Sequence, residues 1–223
     1  MDPQREPPFR GPWPVWTISG LILLSYGVQS RLFSLGGAAR LFGVSGQALQ
    51  DGRWTTAATA LFIHGGWAHA GMNAVGALAF GAPVARALGL RARGAIGFFV
   101  FYLTCGVLAS LGYAALHPHD DLPLVGASGA VSGLFGGASR LIERRPQLSP
   151  FTSRTVLASL AAWIAVNVGL GLMHYAPGIG DANVGWEAHI AGYLAGLLLI
   201  GPFIWLFGPA PEPQTPPEAP VQD

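Results

Sequence analysis

Apolar residues run along this chain in long blocks separated by short polar or glycine-rich breaks. Neither the two-residue alternation of a half-buried strand nor the narrow stripe of a soluble helix organises them. Blocks at roughly residues 15–28 (running on toward 33), 67–88, 95–116, 155–173 and 188–207 approach or reach the ~20 residues that a membrane-crossing helix needs. A sixth, 127–142, is short and packed with Gly, Ala and Ser. Its start is expected below the membrane surface, inside protein or a water-filled cavity, where irregular backbone is tolerated. The connection over residues 34–54, SLGGAARLFGVSGQALQDGRW, is amphipathic but too polar and glycine-rich to span. The pattern predicts an all-α fold, a polytopic membrane helical bundle with six transmembrane helices over residues 15–207. A segment over 1–14 precedes it, and a Pro-rich, acidic tail over 208–223 is expected to be disordered.

Composition supports lipid as the solvent. Hydrophobic residues make up 51% of the chain and charged residues 10%, against about 25% charged in soluble domains. Mean hydropathy is +0.44. The net charge of +1 says nothing about nucleic acid, and no nucleic-acid partner is expected. All 12 basic residues are Arg, and Gly and Ala are abundant, a coding bias that suggests a GC-rich bacterial genome. The single cysteine, Cys105, excludes an intramolecular disulfide and leaves a metal site no second thiol. No metal or cofactor is expected. The start, MDPQREPPFRGPWP, holds acidic residues and several prolines, a poor leader, so the first span is expected to be retained.

The arginines set an orientation. With six spans, Arg5, Arg10, Arg86, Arg91, Arg93, Arg140, Arg144, Arg145 and Arg154 fall on one side. The other side holds only Arg31, Arg40 and Arg53, all near the first connection. Positive loops stay inside. Both termini are therefore expected in the cytoplasm, of a bacterial inner membrane, with the fourth and sixth helices starting toward the outside.

Polar groups inside spans are expensive and point to function. They concentrate in three places. HGGWAHAGMN brings His64, His69 and Asn73, the last two four apart and so on one helical face. GASGAVSGLFGG brings Ser128 at the head of the fourth helix, and EAHIAGYLAG brings His189 at the head of the sixth. Each has a plain alternative, as a small packing residue, an interfacial His or an interhelical hydrogen bond. Jointly they suit nucleophilic catalysis, in which a neutral His accepts the proton that makes a Ser hydroxyl reactive. Ser128 at a helix N-terminus faces free N–H groups and the positive end of the dipole. His69 and Asn73 on a neighbouring helix can serve a developing oxyanion. Gly129 and Gly133, with Gly192 and Gly196, form small-residue faces that let the helices meet. No carboxylate is placed as a third member. Glu187, two residues from His189, points elsewhere on a helix, and Asp120 and Asp121 lie in a loop. A dyad is expected, its His held by packing.

At these residues the chain resembles the rhomboid family of intramembrane serine proteases. The resemblance covers about residues 54–196, with His64-x4-His69-x3-Asn73, Gly126-Ala127-Ser128-Gly129 and Ala188-His189-x2-Gly192-x3-Gly196 in order. It implies Ser128 as nucleophile, His189 as base, and His69 and Asn73 with the Ser128 N–H at the oxyanion. It places a polar residue at His64 near the site and implies accessory roles for Gly126 and Gly129. It further implies a structured, membrane-embedded first loop, a mobile cap before Trp186, and transmembrane protein substrates in the lipid bilayer. Two departures stand out. Many relatives carry Trp-Arg in the first loop, where Thr55 follows Trp54 here. Many place an aromatic four residues after the nucleophile, where Ser132 stands. The alternatives are a catalytically silent relative that binds membrane clients, and a small transporter. Silent relatives usually lack the Ser or the His, and no internal repeat supports a transporter.

Overall fold

The structure, a computed structural model, describes residues 11–142, 148–173 and 185–210. Most of the expected N-terminal segment and tail lies outside them, with Arg5, Arg10, Arg144 and Arg145 and nearly all of the expected cap before Trp186.

Every regular element among the described residues is helical. Helix α1 spans Trp13–Leu32, α2 Leu35–Phe42, α3 Gly46–Gln50 and α4 Thr56–Thr59, followed by a 3-10 turn, Ala60–Phe62. Then come α5 (Trp67–Leu88), α6 (Ala92–Leu116), α7 (Ser128–Ser139), α8 (Arg154–Leu172) and α9 (Trp186–Phe207). α6, α8 and α9 are long and apolar enough to cross a membrane, and α1 with α2, bent by 115°, forms a fourth candidate. This is a multi-pass membrane architecture. Helix α5 has the length, but His69, Asn73 and its glycines dilute its apolar character. Helix α7, with 12 residues, reaches only about 18 Å at 1.5 Å per residue.

Many large apolar side chains face outward, and the buried set combines Phe98, Phe101, Tyr102 and Leu134 with many alanines. Leu24, Val75, Leu157, Leu172, Leu198 and Trp205 are exposed, while Ala70, Ala74, Ala77, Ala127 and Ala130 are buried. Without a hydrophobic drive between helices in lipid, close backbone packing holds such a bundle together. The α7–α9 crossing is the most extensive. A Cβ added at Gly196 would fall 1.8 Å from the Gly133 carbonyl oxygen, and one at Gly192 would fall 2.1 Å from that of Gly129. Only glycine fits these positions.

The connection after α1 is folded, as the family resemblance implied. Ser34 caps α2 by accepting from the Gly37 N–H (3.2 Å), and Ser45 caps α3 by accepting from the Ala48 N–H (3.0 Å). The Arg53 guanidinium donates to the carbonyls of Arg40 and Leu41, both at 2.7 Å. These bonds come from the arginine before Trp54. Val44 and Leu124 exchange backbone hydrogen bonds (3.0 and 2.7 Å). That bridge ties the loop to the strand-like segment that enters α7.

Candidate active site

Ser128 is the first residue of α7. The helix's first internal bond runs from the Val131 N–H to the Ala127 carbonyl (3.0 Å). The amides of Ser128, Gly129 and Ala130 come before it and have no intrahelical acceptor. The chain enters through Gly126, whose φ of +123° is a backbone state that favours glycine. Its N–H donates to the Ala60 carbonyl (2.9 Å), which fixes the turn against the first loop.

His189 lies in the first turn of α9, and the glycine crossing brings it over Ser128. His189 Nε2 is 2.8 Å from Ser128 Oγ. Glu187 does point elsewhere: its Oε1 is 3.1 Å from His117 Nε2, beyond the end of α6. Ser132 Oγ donates to the Ser128 carbonyl (2.7 Å), so its hydroxyl is used within α7.

The expectation that packing alone holds His189 is corrected by α8. His189 Nδ1 is 2.6 Å from Asn167 Oδ1, and the Trp163 indole N–H donates to the His189 carbonyl (3.3 Å). The Trp163 and His189 rings lie 6.4 Å apart. Polar groups in the spans therefore gather at a fourth place that the sequence reading passed over. A lone Asn in an apolar span was the available signal.

His69 is buried, and its Nδ1 accepts from the Gly65 N–H (3.2 Å). Its proton therefore sits on Nε2. That atom lies against Gly126, where an added Cβ would fall 2.7 Å from His69 Nε2 and 3.7 Å from Ser128 Oγ. Asn73 is also buried, one turn on, and its Nδ2 donates to the His69 carbonyl (3.1 Å). His64 precedes α5 rather than lying in it. Its ring is buried 5.3 Å from that of His69, and neither ring nitrogen has a hydrogen-bond partner among the described residues. Gln29 of α1 clamps the His64 backbone, accepting from its N–H and donating to its carbonyl, both at 2.9 Å. The space beside Ser128, lined by Gly126, Gly129, Leu61 and Ala188, amounts to about 10 Å³, room for about one water. Among the described residues, no group of three or more His, Cys, Asp or Glu is placed to hold a metal.

The rhomboid domain model matches residues 51–206, most of the chain, with His64, His69, Asn73, Ser128, Asn167 and His189 inside the match. The chain belongs to the rhomboid family. It is 28% identical over 149 residues to the Bacillus subtilis (strain 168) protein named "Putative rhomboid protease YdcA", covering 67% of each chain. It is 34% identical over 139 residues to "RHOMBOID-like protein 4" of Arabidopsis thaliana, covering 62% of this chain and 31% of that one. The chain thus spans about a third of the plant protein. Within this rhomboid domain Ser132 offers His189 no ring, and the contacts to the His189 Nδ1 and carbonyl come from α8.

Proposed function

We propose that this rhomboid is an intramembrane serine endopeptidase that cleaves transmembrane protein substrates with Ser128 and His189. One observation carries the reading: a serine at a helix N-terminus lies 2.8 Å from an imidazole nitrogen in a membrane bundle. Ser128 Oγ attacks the scissile carbonyl while its proton passes to His189 Nε2. The tetrahedral oxyanion faces the free amides at the head of α7 and the Nε2–H of His69, with Asn73 one turn behind. His189 then gives its proton to the leaving amine, and a water, activated by the same nitrogen, releases the acyl group from Ser128.

With about 10 Å³ beside Ser128, substrate entry requires the site to open. Extended backbone must enter, so the substrate class is membrane proteins with a locally unwound segment near the outer face, where small residues and helix breakers lower the cost. We propose as well that the five long helices α1, α5, α6, α8 and α9 and the short α7 lie in the bilayer, with both termini in the cytoplasm of a bacterial inner membrane. A fluorophosphonate probe on the reconstituted full chain tests the catalytic reading against a silent client binder. Labelling should require both Ser128 and His189. Labelling that survives Ser128→Ala, or no labelling of the wild type, overturns it.

A further inference from the structure

We infer that Asn167 is a positioning residue that turns the Ser128–His189 pair into a Ser-His-Asn relay of fixed tautomer, an inference that rests on the protease reading above. The amide orientation follows from its partners. Asn167 Nδ2 donates to the Trp163 carbonyl one turn back at 2.9 Å, which sends Oδ1 toward His189. An amide oxygen only accepts, so the nitrogen 2.6 Å away, His189 Nδ1, carries the hydrogen. A neutral imidazole holds one hydrogen. With it on Nδ1, Nε2 presents its lone pair to Ser128 Oγ at 2.8 Å. This is the one tautomer that can take the serine proton.

Burial supports a polar purpose for this residue. On α8 only Val156 and Asn167 are buried, and the rest of the helix is partly or fully exposed. A primary amide withdrawn from its surroundings costs free energy unless its groups are paired. Both polar atoms of Asn167 are paired here, and one pairs with the proposed base. The need for such a group is also visible: Ser132 offers no ring to stack on His189 and uses its hydroxyl within α7. When Ser128 Oγ bonds to the carbonyl carbon, its O–H bond breaks and Nε2 gains the proton. The resulting imidazolium keeps Nδ1–H on Asn167 Oδ1, so the ring does not turn before Nε2 returns the proton to the leaving amine. An Asn in this role is a known solution elsewhere, in Cys-His-Asn proteases.

A purely structural Asn167 would instead be a polar link between α8 and α9. The test uses the reconstituted full chain with Asn167→Leu, which removes the acceptor at similar volume, and Asn167→Asp, which keeps an acceptor. A fluorophosphonate probe titrates the reactive Ser128, and kcat and KM are taken on a model transmembrane substrate. Asn167→Leu should lower kcat and the labelling rate about 10- to 100-fold, part of the ~10²–10⁴ that a general base contributes. The titratable fraction and KM should stay near wild type, and Asn167→Asp should recover most of the loss. If Asn167→Leu labels and turns over at the wild-type rate while Ser128→Ala is dead, the positioning role is overturned and the nucleophile stands. The role is equally overturned if Leu and Asp lose titratable fraction and rate together. If wild type shows no Ser128-dependent labelling, the protease reading falls and this inference with it.

Discussion

His69 and Asn73 share a face of α5 but are not equivalent. His69 directs Nε2–H at Gly126, beside Ser128, whereas Asn73 spends one amide hydrogen on the His69 carbonyl. Removing one oxyanion donor from a soluble serine protease costs about 10²–10³ in turnover. His69→Ala should approach that loss in kcat. Asn73→Ala should cost less, since the helix amides and water can substitute. If both leave kcat intact, these side chains only link helices. Residues of this kind were legible because a polar group within an apolar block demands a reason. Asn167 escaped because it stands alone in its span, and nothing near it in sequence signals a partner 22 positions later. Gln29 escaped for the opposite reason. Beside Ser30 and Arg31 at a helix end, a polar residue needs no explanation, and its clamp on His64 exists only in three dimensions.

Elements were legible in proportion to their length. The block read at 67–88 is α5, and those read at 95–116, 155–173 and 188–207 lie within three residues of α6, α8 and α9 at each end. The short α7 ends at Ser139, three residues before the apolar block does, at Arg140, whose guanidinium donates to the Ser149 carbonyl (3.0 Å). The helices of the first connection could not be bounded from sequence, because α3 and α4 are single turns, α3 capped by Ser45 and α4 without a side-chain cap. The glycine stripes, by contrast, could be read directly. Their close approach makes the α7–α9 crossing intolerant of side chains, since the obstructing atoms are backbone. Gly196→Val should destabilise the protein by at least the ~1–3 kcal/mol typical of overpacking, and should separate His189 from Ser128. Gly169→Ala, on α8 with nothing within 4 Å of its Cβ, is the matched control. Thermal unfolding in detergent with Ser128 labelling as readout checks this, and equal behaviour of the two variants would contradict the crossing.

At the scale of the molecule, contacts among the described residues tie Arg93 and Arg140 to the end of the bundle where α9 finishes and α8 begins, whereas Arg40 and Arg53 lie in the first connection. Arg93 caps the last turn of α9 through the Leu206 carbonyl, and Arg140 reaches the segment before α8. The Trp13 indole ties the start of α1 to the Leu90 carbonyl (3.1 Å). The proposed catalytic pair lies at the heads of α7 and α9, toward the opposite end. In the topology proposed above, the positive-inside bias has the end that holds Arg93 and Arg140 facing the cytoplasm. A green fluorescent protein fused after Asp223 should fluoresce in bacterial cells, and alkaline phosphatase fused there should be inactive; the reverse pair of results would invert the topology. The central claim remains that Ser128 performs covalent chemistry on a peptide bond within the bilayer. Its most direct measurement is cleavage of a model transmembrane substrate by the purified protein in liposomes, wild type against Ser128→Ala. The wild type should generate two fragments cut near the outer face. The Ser128→Ala protein should be intact, equally stable and without activity, and cleavage that survives the substitution would contradict the mechanism.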